Sequence, residues 1–99
     1  MDYTVTEDAS TLLIAINGPM ELHTVKDLQN AIIELNTTVN KDVTIDLANV
    51  DYIDSTGISI LIMLNRQQKQ KGKALKIRNA ASRVMNLLEL SSLSELLHM

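Results

Sequence analysis

The 99-residue sequence contains no cysteine, phenylalanine or tryptophan, and its only aromatic residues are Tyr3 and Tyr52. Without cysteine the chain can form neither a disulfide framework nor a thiolate metal site. With so few rings it lacks the stacking surface typical of proteins that bind single-stranded nucleic acid, so we expect no nucleic-acid partner. The core must therefore be built from aliphatic residues and methionine.

The sequence also lacks long apolar runs, and its first residues do not have the pattern of a leader peptide. Apolar runs such as Ile60 to Leu64 are far shorter than the ~20 residues that a membrane helix needs. The N-terminal stretch MDYTVTEDAS has neither the basic nor the apolar region of a secretory signal. We therefore expect a cytoplasmic protein with no membrane partner, and a monomer or weak dimer.

The net charge of −3 is small, but the charges are unevenly distributed. Acidic residues are concentrated before residue 55, and most of the basic residues lie further on, at Arg66, Lys69, Lys71, Lys73, Lys76, Arg78 and Arg83. A run of this kind is usually a solvated end of a helix and of the next strand. The alternative is a basic surface that steers an acidic partner.

Strand and helix patterns alternate along the chain. The predicted elements are strands at 3–7 and 11–17, a helix capped by a Thr24/Asp27 box and ending near Thr38, a strand at 43–47 before a loop at 48–52, a helix from Ser55 to about Lys71, a strand at 74–78, a helix that contains Val84 to Leu88, and a last short helix, opened by a Ser92/Glu95 box, that contains Leu93 to Leu97. The leading pair forms a hairpin. This order predicts a single α/β domain over residues 1–99, with a mixed four- to five-stranded sheet and helices packed largely on one side.

The predicted helix after Ser55 has two unlike halves. Its first half, ISILIML, is apolar on nearly every side and should be buried. Its second half, NRQQKQK, is polar and is expected to project into solvent. Gly72 follows at the position typical of a helix end.

The polar turn Asp54-Ser55-Thr56-Gly57 stands at the start of this helix. Asp54 is a suitable N-cap, and Gly57 would let another backbone or a phosphate approach closely. The residues alone leave two main interpretations open. The turn is either a plain polar cap or a site at which Ser55 accepts a phosphate, since a helix start accommodates an anion.

A catalytic serine is disfavoured. A hydrolase turn needs glycine two residues before the serine, where this chain has Ile53, and the only histidines are His23 and His98. A nucleotide-binding enzyme is disfavoured because no glycine-rich phosphate loop is present. We therefore expect no enzymatic activity, no cofactor and no metal. A lone His23 before the first helix is more often a surface or capping residue than a ligand.

The order of strand VTIDL, NVDYIDSTG, an apolar helix, Gly72 and the strand ALKIR resembles the STAS domain of bacterial anti-sigma factor antagonists. The resemblance covers nearly the whole chain. The segment from Gly18 to Thr24 is similar to the family's loop before the first helix, with Glu21 where the family has aspartate. The resemblance implies that Asp54 positions the serine, that Ser55 is phosphorylated, and that Glu21, Asp54, Ser55, Thr56 and Gly57 bind the partner.

The resemblance also implies the partners. One is a serine kinase with a histidine-kinase-like ATPase fold that doubles as an anti-sigma factor. The unphosphorylated antagonist binds this kinase and frees its target, and phosphorylation ends the binding. A PP2C-type phosphatase reverses the modification. The alternative within the same family is a structural STAS subunit of a signalling scaffold or lipid-transport complex, in which Ser55 is only a cap residue.

Two further residues near the turn have two interpretations each. Met20 is either a packing residue or an exposed contact in the loop before the first helix. Tyr52 is expected to have a half-buried ring with its hydroxyl in water, because a tyrosine has an apolar body and a polar tip.

Overall fold

One mixed sheet carries the fold, with its strands in the order β1-β2-β3-β4-β5. The computed structural model describes residues 2–21, 25–38, 40–90 and 97–98. The elements are β1 (Asp2–Glu7), β2 (Thr11–Asn17), α1 (Val25–Thr38), β3 (Asp42–Asn49), α2 (Ser55–Gln70), β4 (Leu75–Arg78), α3 (Ser82–Glu89) and β5 (Leu97–His98).

The first two strands form an antiparallel hairpin, and β2 to β5 are parallel. In the hairpin turn the Asp8 carboxylate accepts the backbone N–H groups of Ser10 at 2.8 Å and Thr11 at 2.7 Å. Those hydrogen bonds favour the ionised form and lower the pKa of Asp8. The hairpin turn is therefore stabilised by the side chain of its own residue Asp8.

The strand order follows the chain order, and this decides where the helices lie. Each strand–helix–strand connection moves one place in the same direction across the sheet. Since such connections are right-handed, all the helices fall on one face. The predicted α/β class, with a mixed sheet and helices on one side, is confirmed.

A single core lies between that face of the sheet and the helices. Alternate residues of β2, β3 and β4 point into it, as the strand period of two requires. From the helices, Ile32, Ile60, Leu61, Leu64, Val84 and Leu88 complete it. On the opposite face Asp46 of β3 accepts hydrogen bonds from Arg78 and Asn79, which ties β3 to the end of β4.

The third strand is longer than the sequence pattern predicts. It continues through Ala48 to Asn49, which the sequence places in a loop. The β2–β3 pairing shifts register after Ala15 and resumes at Asn17 and Asn49. The side chains of that pair are also hydrogen bonded, at 2.8 Å. This pairing depends on contacts between distant segments, so local polarity at Asn49 gave the wrong strand end.

The prediction for the C-terminal end is wrong at Leu97. The sequence assigns this residue to a last short helix, but Leu97 and His98 pair as a parallel strand with Ile77 and Arg78. The predicted helix start at 92–95 lies outside the described residues, as do His23 and the cap of α1 at Thr24.

The second half of α2 also differs from the prediction at one residue. Gln68 is 0% exposed, although the sequence places its polar segment in solvent. Its Nε2 donates to the backbone oxygens of Lys41 and Ala74, each at 2.9 Å. These hydrogen bonds connect the end of α2 to the segments that lead into β3 and β4. Gly72, with φ +70°, follows the helix where the sequence predicts its end.

Candidate functional site

Two loops meet beside the start of α2, and backbone hydrogen bonds hold them together. The loop after β2 lies alongside the loop after β3. Met20 N–H donates to the Tyr52 oxygen at 2.9 Å, and Asp54 N–H donates to the Met20 oxygen at 3.0 Å. Met20 and Ile53 form a parallel bridge between the two loops. The position of the Asp54 turn is therefore fixed by the loop that leads to Glu21.

Asp54 is the N-cap of α2, as the sequence predicts. Its Oδ1 accepts the N–H groups of Thr56 at 2.9 Å and Gly57 at 3.1 Å. Its backbone oxygen accepts the N–H of Ile58 at 3.0 Å, which starts the regular helix. A carboxylate is a strong cap because it also neutralises the positive end of the helix.

Gly57 is buried beneath the two loops. A Cβ placed on it would lie 2.7 Å from Cγ1 of Ile53 and 2.8 Å from the backbone oxygen of Met20. The close backbone approach that the sequence suggests at this glycine is therefore present. Because Gly57 is buried, we expect it to serve partner binding through the loop geometry, and its place in the binding surface stays a prediction.

Ser55 is exposed and is the first residue of α2. Its backbone oxygen accepts a hydrogen bond from Ser59 Oγ at 2.8 Å, one turn further along the helix. Thr56 is half-buried. The arrangement leaves a serine hydroxyl accessible while the backbone around it is held by Asp54 and Ser59, which suits a hydroxyl that an enzyme must reach.

A cleft of about 250 Å³ opens beside Ser55, between α1 and α2. It is lined by Gln29 of α1 and by Ser55, Thr56, Ser59 and Ile60 of α2. The sequence interpretation did not identify Gln29 or Ser59. The helical spacing of four between Ser55 and Ser59 could have indicated the second of these, but nothing local relates Gln29 to the turn before the helices are packed.

The remaining candidates lie around the turn. Glu21 is half-buried and directly follows Met20, so the paired loops bring it to the same end of the molecule as Asp54. Met20 is 0% exposed, which makes it a packing residue and excludes the exposed contact. Tyr52 is 45% exposed. About half of its surface is therefore covered, in agreement with the half-buried tyrosine that the sequence predicts.

Other kinds of site receive no support from the part of the chain that the structure describes. Within those residues, no three His, Asp or Glu side chains are placed to hold a metal ion. Within the same residues, no helix combines the length and the apolar character that crossing a membrane requires.

The sequence profile of a family described as "Mlab, STAS domain" matches residues 3–98. The chain belongs to the STAS-domain family. This STAS domain is 28% identical over 95 residues to an anti-sigma-B factor antagonist of Staphylococcus epidermidis, a match that covers 96% of this chain and 87% of that protein. The resemblance seen in the motif order is thus confirmed at the level of the family.

Solved structures agree on the fold. The unphosphorylated form of the anti-sigma factor antagonist SpoIIAA matches this STAS domain with a TM-score of 0.86 and 15% identity, over 98% of this chain and 86% of that chain. The phosphorylated form of SpoIIAA from Bacillus gives a TM-score of 0.80 and 14% identity, over 98% and 89%. Both forms of that protein therefore share the fold described above.

Proposed function

We propose that this STAS domain is an anti-sigma factor antagonist, regulated by phosphorylation of Ser55 and without enzymatic activity of its own. The observation that carries the proposal is the exposed Ser55 at the first position of α2, next to Asp54, which caps the helix. The names of the relatives support the class of function. A plain cap would need only the Asp54 carboxylate, whereas here an exposed serine stands beside it.

The proposed reaction is a phosphoryl transfer from ATP, catalysed by a serine kinase with a histidine-kinase-like ATPase fold. The Ser55 oxygen attacks the γ-phosphorus, the bond to the bridging oxygen breaks and ADP leaves, and the hydroxyl proton passes to a base of the kinase. The contribution of this chain is to hold the serine in place. The bonds from Thr56 and Gly57 to Asp54 fix the backbone on which the hydroxyl stands.

The charge change explains the proposed switch. A phosphate adds about −1.5 to −2 charges at neutral pH. It is attached to Ser55, directly after Asp54 and the loop that carries exposed Asp51. The surface fits the kinase while Ser55 is uncharged. After phosphorylation the same contact would contain an unpaired dianion, and like or unpaired charges at an interface cost several kcal/mol.

The partners of this proposal follow from its cycle. The unphosphorylated form binds the kinase, which is also the anti-sigma factor, through Glu21, Asp54, Ser55 and Thr56, while buried Gly57 keeps the loops in place, and the kinase then releases its target. A PP2C-type phosphatase removes the phosphate and restores binding. Because the kinase uses ATP, the proposed location is the cytoplasm.

The test uses the histidine-kinase-like serine kinases encoded in the same genome, purified and supplied with radiolabelled ATP. We expect one of them to transfer one phosphate to the wild type and none to Ser55→Ala. Ser82→Ala is the matched control, because Ser82 is also exposed and is also the first residue of a helix, but its N-cap is Ala81. Absence of label in the wild type with every such kinase contradicts the proposal.

A structural STAS subunit is the second candidate. It is favoured by one observation: the cap made by Asp54 and the tight packing of Gly57 account for those two residues of the turn without any phosphate. The two candidates differ in the binding of Ser55→Asp. A switch loses the kinase with this substitution, whereas a structural subunit keeps its partner.

A further inference from the structure

The cleft beside Ser55 has features that the phosphorylation site alone does not explain. It lies between two helices, with Gln29 on one side and Ser55, Thr56 and Ser59 on the other. Ile60, which is 2% exposed, forms its apolar floor. At about 250 Å³ it is smaller than the pockets of about 300 Å³ or more that hold small molecules. It is nevertheless large enough to admit a protein side chain.

The lining decides the chemistry of such a side chain. Among the described residues, those that line the cleft carry no charge. A charged side chain that entered the cleft would lose part of its water without meeting an opposite charge in the lining, which is unfavourable. The apolar floor and polar rim instead suit a side chain with an apolar body and an uncharged hydrogen-bonding tip.

The rim has hydrogen-bonding capacity to spare. Ser59 Oγ gives its proton to the Ser55 oxygen, so its lone pairs remain able to accept. The carboxamide of Gln29 can both donate and accept. An amide or hydroxyl tip that enters the cleft could therefore bond to both helices at once.

From these features we infer that the cleft receives one uncharged polar side chain of the kinase, and that Gln29 and Ser59 determine how tightly the kinase binds. The inference rests on the proposed function. It also makes the switch more specific, since Ser55 is part of the cleft wall. A phosphate on Ser55 would crowd the entrance with a strongly hydrated dianion, and the kinase side chain would have to leave.

The experiment measures the dissociation constant of the kinase for unphosphorylated variants by isothermal titration calorimetry. We expect Gln29→Leu, which keeps bulk but loses the amide, to weaken binding about tenfold, the value of one hydrogen bond of about 1.4 kcal/mol. Ser59→Leu fills the cleft and should weaken binding at least as much. Asn30→Leu is the matched control, because Asn30 is an exposed amide on α1 outside the cleft and should leave the constant within about twofold.

Gln29→Glu tests the charge of the incoming side chain. An uncharged side chain predicts weaker binding of Gln29→Glu, whereas tighter binding would show a cation in the cleft and overturn the inference. Steady-state phosphorylation adds a second readout. The variant Gln29→Leu should raise KM and leave kcat nearly unchanged, because Ser55, its cap and the hydrogen bond from Ser59 to its backbone oxygen are intact.

The outcomes separate this inference from the proposed function. If the wild type is phosphorylated on Ser55 but Gln29→Leu and Ser59→Leu bind the kinase as tightly as Asn30→Leu does, the cleft inference fails and the proposed function stands. If no kinase binds or phosphorylates the wild type, the proposed function fails and the cleft inference fails with it.

Discussion

At the scale of single residues, Gly57 shows how much of the site depends on one missing side chain. In an ordinary helix position Gly57→Ala would stabilise the protein by about 1 kcal/mol, since alanine is the better helix former. Here the added Cβ meets the Met20 oxygen at 2.8 Å and Ile53 at 2.7 Å, so the loops must move. We expect a loss of about 1–3 kcal/mol in the free energy of unfolding, as in other overpacked sites.

Urea denaturation of Gly57→Ala measures this effect, and its sign is decisive. Ser55→Ala serves as the control on the same turn, because Ser55 is exposed and its substitution should change stability by less than about 0.5 kcal/mol. A stabilised Gly57→Ala would mean that the loops are not packed on the glycine as described.

Single residues also show what the sequence can and cannot reveal about the site. Asp54 as the cap and Gly57 as a point of close approach were predictable, because both follow from the chemistry of a helix start. The burial of Met20 and the place of Gln29 were not. Each depends on which distant segment packs against the residue. The sequence around a loop or helix residue does not show which segment that is.

At the scale of secondary-structure elements, Gln68 joins the end of α2 to the beginnings of two strands. Gln68→Leu has a similar volume but removes the donor to the backbone oxygen of Lys41 and one of two donors to that of Ala74, which keeps the Val43 N–H. An acceptor left unpaired costs about 1–3 kcal/mol, so we expect a loss of this order in the free energy of unfolding, measured in urea. Gln70→Leu on the exposed side of the same helix should change it by less than about 0.5 kcal/mol. Equal stabilities of the two variants would contradict the role given to Gln68.

The pairing of β3 with β4 should depend on pH through Asp46. Partial burial raises the pKa of Asp46, but hydrogen bonds from the Ala48 N–H, Asn79 and Arg78 outweigh it, and the net pKa is lowered. A folded-state pKa below the unfolded value of about 3.9 means that the stabilisation is present above that pH. It is lost as the pH falls through the folded-state pKa.

Asp46→Asn isolates this contribution. We expect the variant to be less stable than the wild type by about 1 kcal/mol at pH 7, and the difference to shrink when both are unfolded at progressively lower pH below about 4. Thermal unfolding over that pH range measures it. A difference that stays constant on acidification would show that the charge of Asp46 contributes nothing.

The order of the elements was largely predictable. The end of β3 and the strand at Leu97 were not, and both misses have the same cause. Strand alternation and helical periodicity are properties of the chain itself, so β2, α1 and α2 follow directly from them. The extension of β3 to Asn49 and the strand at Leu97 arise from pairing with β2 and β4, respectively. A two-residue strand has no periodicity to detect, and only its neighbour in the sheet defines it.

At the scale of the whole molecule, the two ends of α2 carry opposite charges. Asp51 and Asp54 lie near the start of α2, whereas Arg66 and Lys69 lie toward its end and are exposed. Positive charge near a helix C-terminus is favourable in itself, which supports the solvated-surface interpretation of the basic run. The acidic end is the one that the proposed phosphorylation makes more negative.

The whole fold should be unaffected by that added charge. Ser55 is exposed at the first position of α2, where a negative charge gains about 0.3–1 kcal/mol from the helix dipole and is repelled by the Asp54 carboxylate through water. We therefore expect Ser55→Asp to unfold within about 1 kcal/mol of the wild type. Amide chemical shifts should change only around the turn and the adjoining cleft, with Ser82→Asp as the control on α3. Shift changes that spread through β3 and β4 would instead mean that a conformational change across the sheet, rather than local charge, releases the kinase.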